Sequence, residues 1–182
     1  LASVDESVAE GDLVRVVDAK GQFLALGHYE KSSLAVRILS FTPCNIDAAF
    51  WHERLTEAWE LRRSLGLIGQ RDNNIFRLVH GEGDNLPGLI IDYYDGVCVM
   101  QAHSVGMFRA KIQITEALRK VYGDSLKAVY DKSSGTAPYK AGLELIDGYM
   151  YRRQDFTDDE QVVLENGRKF HVNWTEGQKT GF

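Results

Sequence analysis

The sequence predicts an α+β chain: a small β unit at the N-terminus, a connector helix, a small α+β domain with strands around one long helix, and a C-terminal β-hairpin. Three observations carry that prediction. Between residues 13 and 40 apolar side chains recur with the period of two that a strand with one buried face requires, and glycines at 11, 21 and 27 punctuate them. From 47 to 65, and again from 104 to 122, the period changes to the spacing of an amphipathic helix. At 161–174 two β-prone runs flank Asn166-Gly167, which supplies the two positive-φ positions of a type I′ turn.

The β unit reads as strands at 13–18, 22–27 and 34–39, with a turn at Ala19-Lys20-Gly21. Val14, Val16, Phe23 and Ala25 alternate with their neighbours as buried positions should. Its basic residues Arg15, Lys20, Lys31 and Arg37 read singly as a solvated strand face, and as a set they are candidates for phosphate contact. The connector helix places Trp51, Leu55, Ala58, Leu61 and Leu65 along one side, with Asp47 as its N-cap and Gly66 at its C-terminal stop. Glu53, Arg54, Glu57 and Arg62 fall largely off that stripe, while Trp51 and Trp59 lie on or beside it and read as core rather than as base-stacking platforms.

The next segment reads as strands at 75–79, 88–93 and 97–101, the last two joined by a turn at Tyr94-Asp95-Gly96. A helix from Ser104 to Tyr122, with Met107, Ala110, Ile114, Leu118 and Val121 on one side, ends at Gly123, and 126–130 returns to strand. Gly81-Glu-Gly83 suggests a dinucleotide loop, but the third glycine is misplaced and Pro87-Gly88 leads into a strand instead of a helix N-terminus, so it reads as a turn. Lys132, Ser133 and Ser134 have the donors to hold a phosphate; a solvated loop over 132–138 is the preferred reading.

Composition narrows the function classes. With 182 residues and 44% hydrophobic content the chain can bury a proper core in one domain or two small ones. Its net charge of −5 includes 7 acids against 4 bases over residues 1–47, whereas affinity from phosphate neutralisation calls for a basic protein; RNA contact would come through a local patch or through shape. No apolar run approaches the roughly 20 residues of a membrane-spanning helix, and the acidic first ten residues are unlike a signal peptide, so a cytoplasmic chain without a membrane partner is expected. It begins without Met and is expected to be trimmed at both ends. Cys44 and Cys98 fall in different units, which argues against a disulfide, and each reads as a small buried hydrophobe. The histidines show no metal-ligand spacing, and no catalytic residue or metal site is expected. The 177–180 string falls short of a P-loop, because Asn173 and Gln178 stand where glycines are required.

Gly-Gln-Lys-Thr-Gly-Phe at 177–182, arriving after the Glu165-Asn-Gly turn and the Val172-Asn-Trp strand, resembles the lead-in to the catalytic domain of the bacterial and archaeal rRNA cytosine-C5 methyltransferases that use S-adenosyl-L-methionine (SAM). Asp-Asn-Leu-Pro-Gly-Leu at 84–89 resembles a string of that family's middle domain, and Phe-Trp-x-x-Arg-Leu-x-x-Ala at 50–58 resembles its connector. Gly-Asp-Leu-Val-x-Val-Val-Asp at 11–18, followed by Gly-x-Phe-Leu-Ala-x-Gly at 21–27, looks like its PUA domain, a small β pseudo-barrel associated with RNA binding. The resemblance implies a PUA-like unit over 1–46, a connector over 47–74, a middle α+β domain over 75–156, and over 157–182 a hairpin leading into a methyltransferase domain.

For the intact protein it implies methyl transfer from SAM to C5 of a cytosine in large-subunit rRNA, by addition of a cysteine thiolate to C6 of a flipped-out base. Those parts are expected beyond Phe182. The chain itself is then expected to be inactive, to hold no SAM alone, and to dock structured RNA, with Gln178, Lys179 and Thr180 approaching the SAM pocket of the intact enzyme. A free-standing RNA-binding or protein-interaction module without catalysis is the alternative. A homodimer through exposed edge strands stays open.

Overall fold

A computed structural model describes residues 3–138 and 142–177. Strands β1 (Leu13–Val17), β2 (Phe23–Tyr29) and β3 (Val36–Ser40) form an antiparallel sheet in that order. Asp18 makes the first turn by accepting from the backbone N–H of Lys20 and of Gln22, both at 2.8 Å, and Gly21 takes the φ of +78° that closes it.

Helix α1 (Ala48–Ser64) starts where the sequence placed it, the Asp47 carboxylate accepting from the N–H groups of Ala49 and Phe50 at 2.9 and 3.1 Å. Its buried face is Phe50, Trp51, Leu55, Ala58 and Arg62. The expected stripe therefore fails in its last turn: Leu61 and Leu65 are 45% and 65% exposed, and Arg62 takes the buried position. The reason is polar. Here the helix passes the turn at 81–84, where buried Asp84 needs a cation; the Arg62 guanidinium meets both carboxylate oxygens, one of them at 2.8 Å, while its Nε donates to the Arg77 carbonyl.

Strands β4 (Ile75–His80), β5 (Leu89–Tyr94), β6 (Val97–Ala102), β7 (Ala128–Asp131) and β8 (Gly148–Arg152) form a second sheet in that order. All its neighbours are antiparallel except β6 and β7, whose parallel pairing needs the helical crossover between them. That crossover is two helices where one was expected, α2 (Val105–Arg109) and α3 (Lys111–Tyr122), broken at Ala110. Strand β8 was not anticipated. Gly81-Glu-Gly83 is a single 3-10 turn, as its misplaced third glycine required. β9 (Glu160–Glu165) and β10 (Arg168–Asn173) pair around Asn166 and Gly167, both at positive φ, as the expected hairpin.

The second sheet is apolar on both faces. Leu78, Ile91, Cys98 and Met100 belong to the cluster that holds Leu55 and Ala58 of α1 and Ile114 and Leu118 of α3. Ile75, Tyr94, Val97 and Val99 belong to the other, completed by Phe156, Val163, Val172 and Trp174 around the hairpin. Trp51 is core, and Trp59 packs on the first cluster from its margin. Cys98 is buried as expected, and burial pushes its thiol well above the usual range. Cys44, expected buried, is exposed, because 41–45 crosses from β3 to α1 along the surface.

The first sheet and the segment leading into it meet the start of α2 with glycine backbone against side chains. A Cβ on Gly11 would lie 2.5 Å from Val105 Cγ1, and one on Gly106 would lie 2.1 Å from Cγ of His28. The His28 ring, 6% exposed, stacks on Trp51 with centroids 6.5 Å apart, and its Nδ1 is buried without a partner. Two ion pairs rim the joint, Arg109 with Asp12 at 3.0 Å and Arg37 with Glu82 at 3.1 Å. Among the described residues no helix is long and apolar enough to cross a membrane, and no group of three His, Cys, Asp or Glu could hold a metal ion.

Burial, helped by the nearby Arg109 charge, pulls the His28 imidazole down from 6.5 to about 4. Between those two values the unfolded chain holds a proton that the folded one refuses. Stability should be level with respect to this group above pH 6.5 and fall by about 3 kcal/mol as the pH is lowered to 4. Urea melts at a series of pH values should show that slope in the wild type and a flatter one in His28→Asn. Gly106→Ala, a change that favours a helix elsewhere, should cost about 1–3 kcal/mol by overpacking, and a His28→Ala background should relieve only part of that cost, because the His28 Cβ that alanine keeps would lie 2.6 Å from the new methyl group.

Candidate nucleic-acid interface and chain exit

The structure places the four basic candidates in three different settings. Arg15 is exposed on β1, an edge strand, and its guanidinium lies over the Phe23 ring at 5.4 Å. Lys20 projects from the exposed turn that follows β1. These two share one end of the sheet with half-exposed Val17 and Leu24, a mixed basic and apolar surface. Lys31 sits at the far end of β2, roughly 20 Å away for a seven-residue strand, on the lip of an open depression lined by Ser3, Val4, Tyr29 and Glu30. Arg37 faces inward: its Nε meets buried Glu30 at 2.7 Å and its Nη1 meets Glu82. The four do not form one cluster.

At the other end of the chain the hairpin is tied to the second sheet at several points. Asn74 exchanges two hydrogen bonds with the Leu164 backbone, at 2.7 and 3.0 Å, and Gln161 Nε2 donates to the Tyr94 carbonyl. Trp174, 1% exposed, donates from Nε1 to the Tyr149 hydroxyl at 2.9 Å, and that hydroxyl donates to Asp159 at 2.6 Å. Burial, followed by the bond to Asp159, pushes the Tyr149 phenol up to about 12. The Arg152 guanidinium covers the Tyr149 ring at 4.3 Å.

Past β10 the backbone makes one helix-like turn. Asn173 Oδ1 accepts from the N–H of Thr175 and of Glu176 at 3.0 and 2.8 Å, the pattern of an N-cap, and the Asn173 carbonyl accepts from Gly177 N–H at 3.0 Å. The carbonyls of Trp174 and Thr175 both accept from Lys132 Nζ, at 2.6 and 3.2 Å. Gln178, Lys179 and Thr180, the candidates for cofactor contact, lie outside the described residues.

Lys132 corrects the reading of its loop. Its neighbour Ser133 is 1% exposed and donates to Asp131, which Lys111 holds at 2.8 Å, while Ser134 bonds Asp147 through both N–H and Oγ at 2.8 Å. The segment is a loop, exposed at Ser134 and Gly135, but not an anion cradle, since its donors are spent on carboxylates and carbonyls of the chain. Sequence reasoning missed this role because the partners of Lys132 lie 42 and 43 residues away. Burial pulls its ammonium below the usual lysine value, against Asp147.

Residues 1–41 match the sequence model of the PUA-like domain family. Over the whole chain the sequence is 32% identical to ribosomal RNA large subunit methyltransferase I of Escherichia coli (strain SMS-3-5 / SECEC), of which it covers 45%. Over 94% of the chain it is 35% identical to the protein of the same name from Pseudoalteromonas translucida (strain TAC 125), covering 42% of it. Its fold superposes on a structure from Streptococcus mutans, assigned as a SAM-dependent methyltransferase, with a TM-score of 0.76 at 18% identity, covering 96% of this chain and 43% of that one. The chain thus spans under half the length of the curated relatives it matches.

Proposed function

We propose that this chain is the RNA-docking and scaffolding part of a SAM-dependent methyltransferase of large-subunit ribosomal RNA, acting in the cytoplasm, with C5 of a cytosine as the methyl acceptor. The single observation that carries the reading is the alignment of the entire chain with rRNA methyltransferases. The cytosine-C5 assignment leans on the 177–182 string alone. Within this reading 1–46 is a PUA-like RNA-binding unit, 47–74 a connector, 75–156 a middle domain, and 157–182 the hairpin that hands the chain to the catalytic domain. SAM supplies the methyl group. The amide of Gln178, the ammonium of Lys179 and the hydroxyl of Thr180 suit its carboxylate and hydroxyls, and Gly177 delivers them from a tied turn.

Arg15 and Lys20 are the phosphate contacts of this reading, because both are exposed and neither is held by an acid of its own sheet, whereas Arg37 is committed to Glu30. Shape and unstacked bases carry the remainder, as an acidic chain requires. The open reading frame around residues 1–182 should continue past Phe182 into a catalytic domain. The extended protein should transfer tritiated methyl from SAM to ribosomal RNA, with 5-methylcytidine recovered after nuclease digestion. A stop codon after Phe182, or no transfer to RNA, would remove the proposal. In salt titrations of RNA binding by the extended protein, Arg15→Ala with Lys20→Ala should lower the slope of log K against log salt by about 2. Arg37→Ala should instead lower the melting temperature, by stranding buried Glu30.

A further inference from the structure

The base from which Lys132 reaches out is fixed on every side. Its own N–H donates to the Met100 carbonyl at 2.8 Å, which carries the β6–β7 register one residue beyond the strand. Before it, Asp131 is 1% exposed and bound by Lys111. After it, Ser133 Oγ accepts from Ala102 N–H at 2.9 Å, and Thr136 Oγ1 donates to the Ala102 carbonyl at 2.8 Å. A side chain mounted this way transmits the position of the sheet to whatever it holds. It holds two successive carbonyls, those of Trp174 and Thr175, on the turn that Asn173 opens. A helical turn leaves its carbonyls pointing forward, and one ammonium drawing two of them together fixes the rotation of that turn as well as its place.

We propose that Lys132 is a positioning residue: it sets the direction in which the chain leaves the hairpin at Gly177, and thereby aligns RNA docked on the N-terminal half with the reaction centre that follows. The inference rests on the methyltransferase reading above. The alignment acts through the tail and not through substrate contact, so loss of Lys132 should leave both ligands bound and the reaction slow, since a displacement of about 1 Å can cost a hundredfold.

The test uses the extended, SAM-dependent protein with Lys132→Met, which keeps the length of the side chain and removes its charge, and with Lys132→Arg. Expected for Lys132→Met are unchanged dissociation constants for SAM by calorimetry and for RNA by filter binding, a kcat lowered about ten- to a hundredfold, and faster hydrogen exchange at the amides of Thr175, Glu176 and Gly177. Lys132→Arg should recover much of the kcat. A wild-type kcat in Lys132→Met overturns the inference, and so does exchange at 175–177 like that of the wild type. A fall in melting temperature and RNA affinity that matches the loss of kcat overturns it too, since that is the signature of general damage. An extended wild-type protein that transfers no methyl group fails at the earlier step, and is told apart from these outcomes by needing no variant.

Discussion

The second sheet has two apolar faces, and the arrangement of the rest of the chain follows from the need to cover both. β6 states the constraint most plainly: Val97, Cys98, Val99 and Met100 are all fully buried, so successive residues point to opposite layers and neither layer is water. The helical layer comes from α1 and α3, one arriving before the sheet begins and the other inside the β6–β7 crossover. The second layer has to come from after the sheet, and the hairpin supplies it, with Val163, Val172 and Trp174 closing over Val97, Val99 and Tyr130. The tail is therefore core, and its attachment to the sheet is obligatory. That necessity gives the chain a defined exit.

Charge is distributed to the same end. Asp84, Asp92 and Asp131 are each at least nine-tenths buried, and each has a dedicated cation, Arg62, Arg77 and Lys111. Removing one partner of such a pair strands a buried charge, whereas the pair itself adds little net stability, so these contacts fix geometry more than they stabilise. Their cost falls on the supply of free cations. A protein that spends cations on internal carboxylates has fewer left for phosphates, and the exposed ones include Arg15 and Lys20 at the first sheet and Arg168 and Lys169 at the hairpin turn.

Local patterns were legible in the sequence, and long-range ones were not. The Asp47 cap, the Asn166-Gly167 turn, the stop at Gly123 and the strands of both sheets other than β8 follow from rules that span a few residues, and all appear where those rules put them. The last turn of α1 did not, because Arg62 is buried by an aspartate 22 residues away that no period within the helix can announce. Cys44 was misjudged for the complementary reason: a small apolar residue follows the path of its segment, and that path depends on where β3 and α1 are anchored. At the candidate interface the residue types were legible and their grouping was not. Arg15 and Lys20 share one end of the sheet, Lys31 occupies the other, and Arg37 turns inward, a division that depends on strand length and on the acid opposite.

The proposed docking role requires that the surface which grips a large substrate and the centre which transforms it keep their relation. The first requirement is a stiff joint between the first sheet and the second, and the glycines meet it. With no Cβ at Gly11 or Gly106, backbone touches Val105 and the His28 ring directly, so a sliding motion would collide at once. The second requirement is a stiff departure, and a hairpin alone would not provide it, since a strand end is free to swing about its last hydrogen bond. The turn at Asn173 and the Lys132 ammonium remove that freedom, the one by fixing the turn to its own strand and the other by fixing it to the sheet. The first joint is made on α2, which follows β6, and the second on Lys132, which follows β7, so both rest on the same five strands. The sheet that could not stand uncovered is, for that reason, the body to which both ends of the chain are referred.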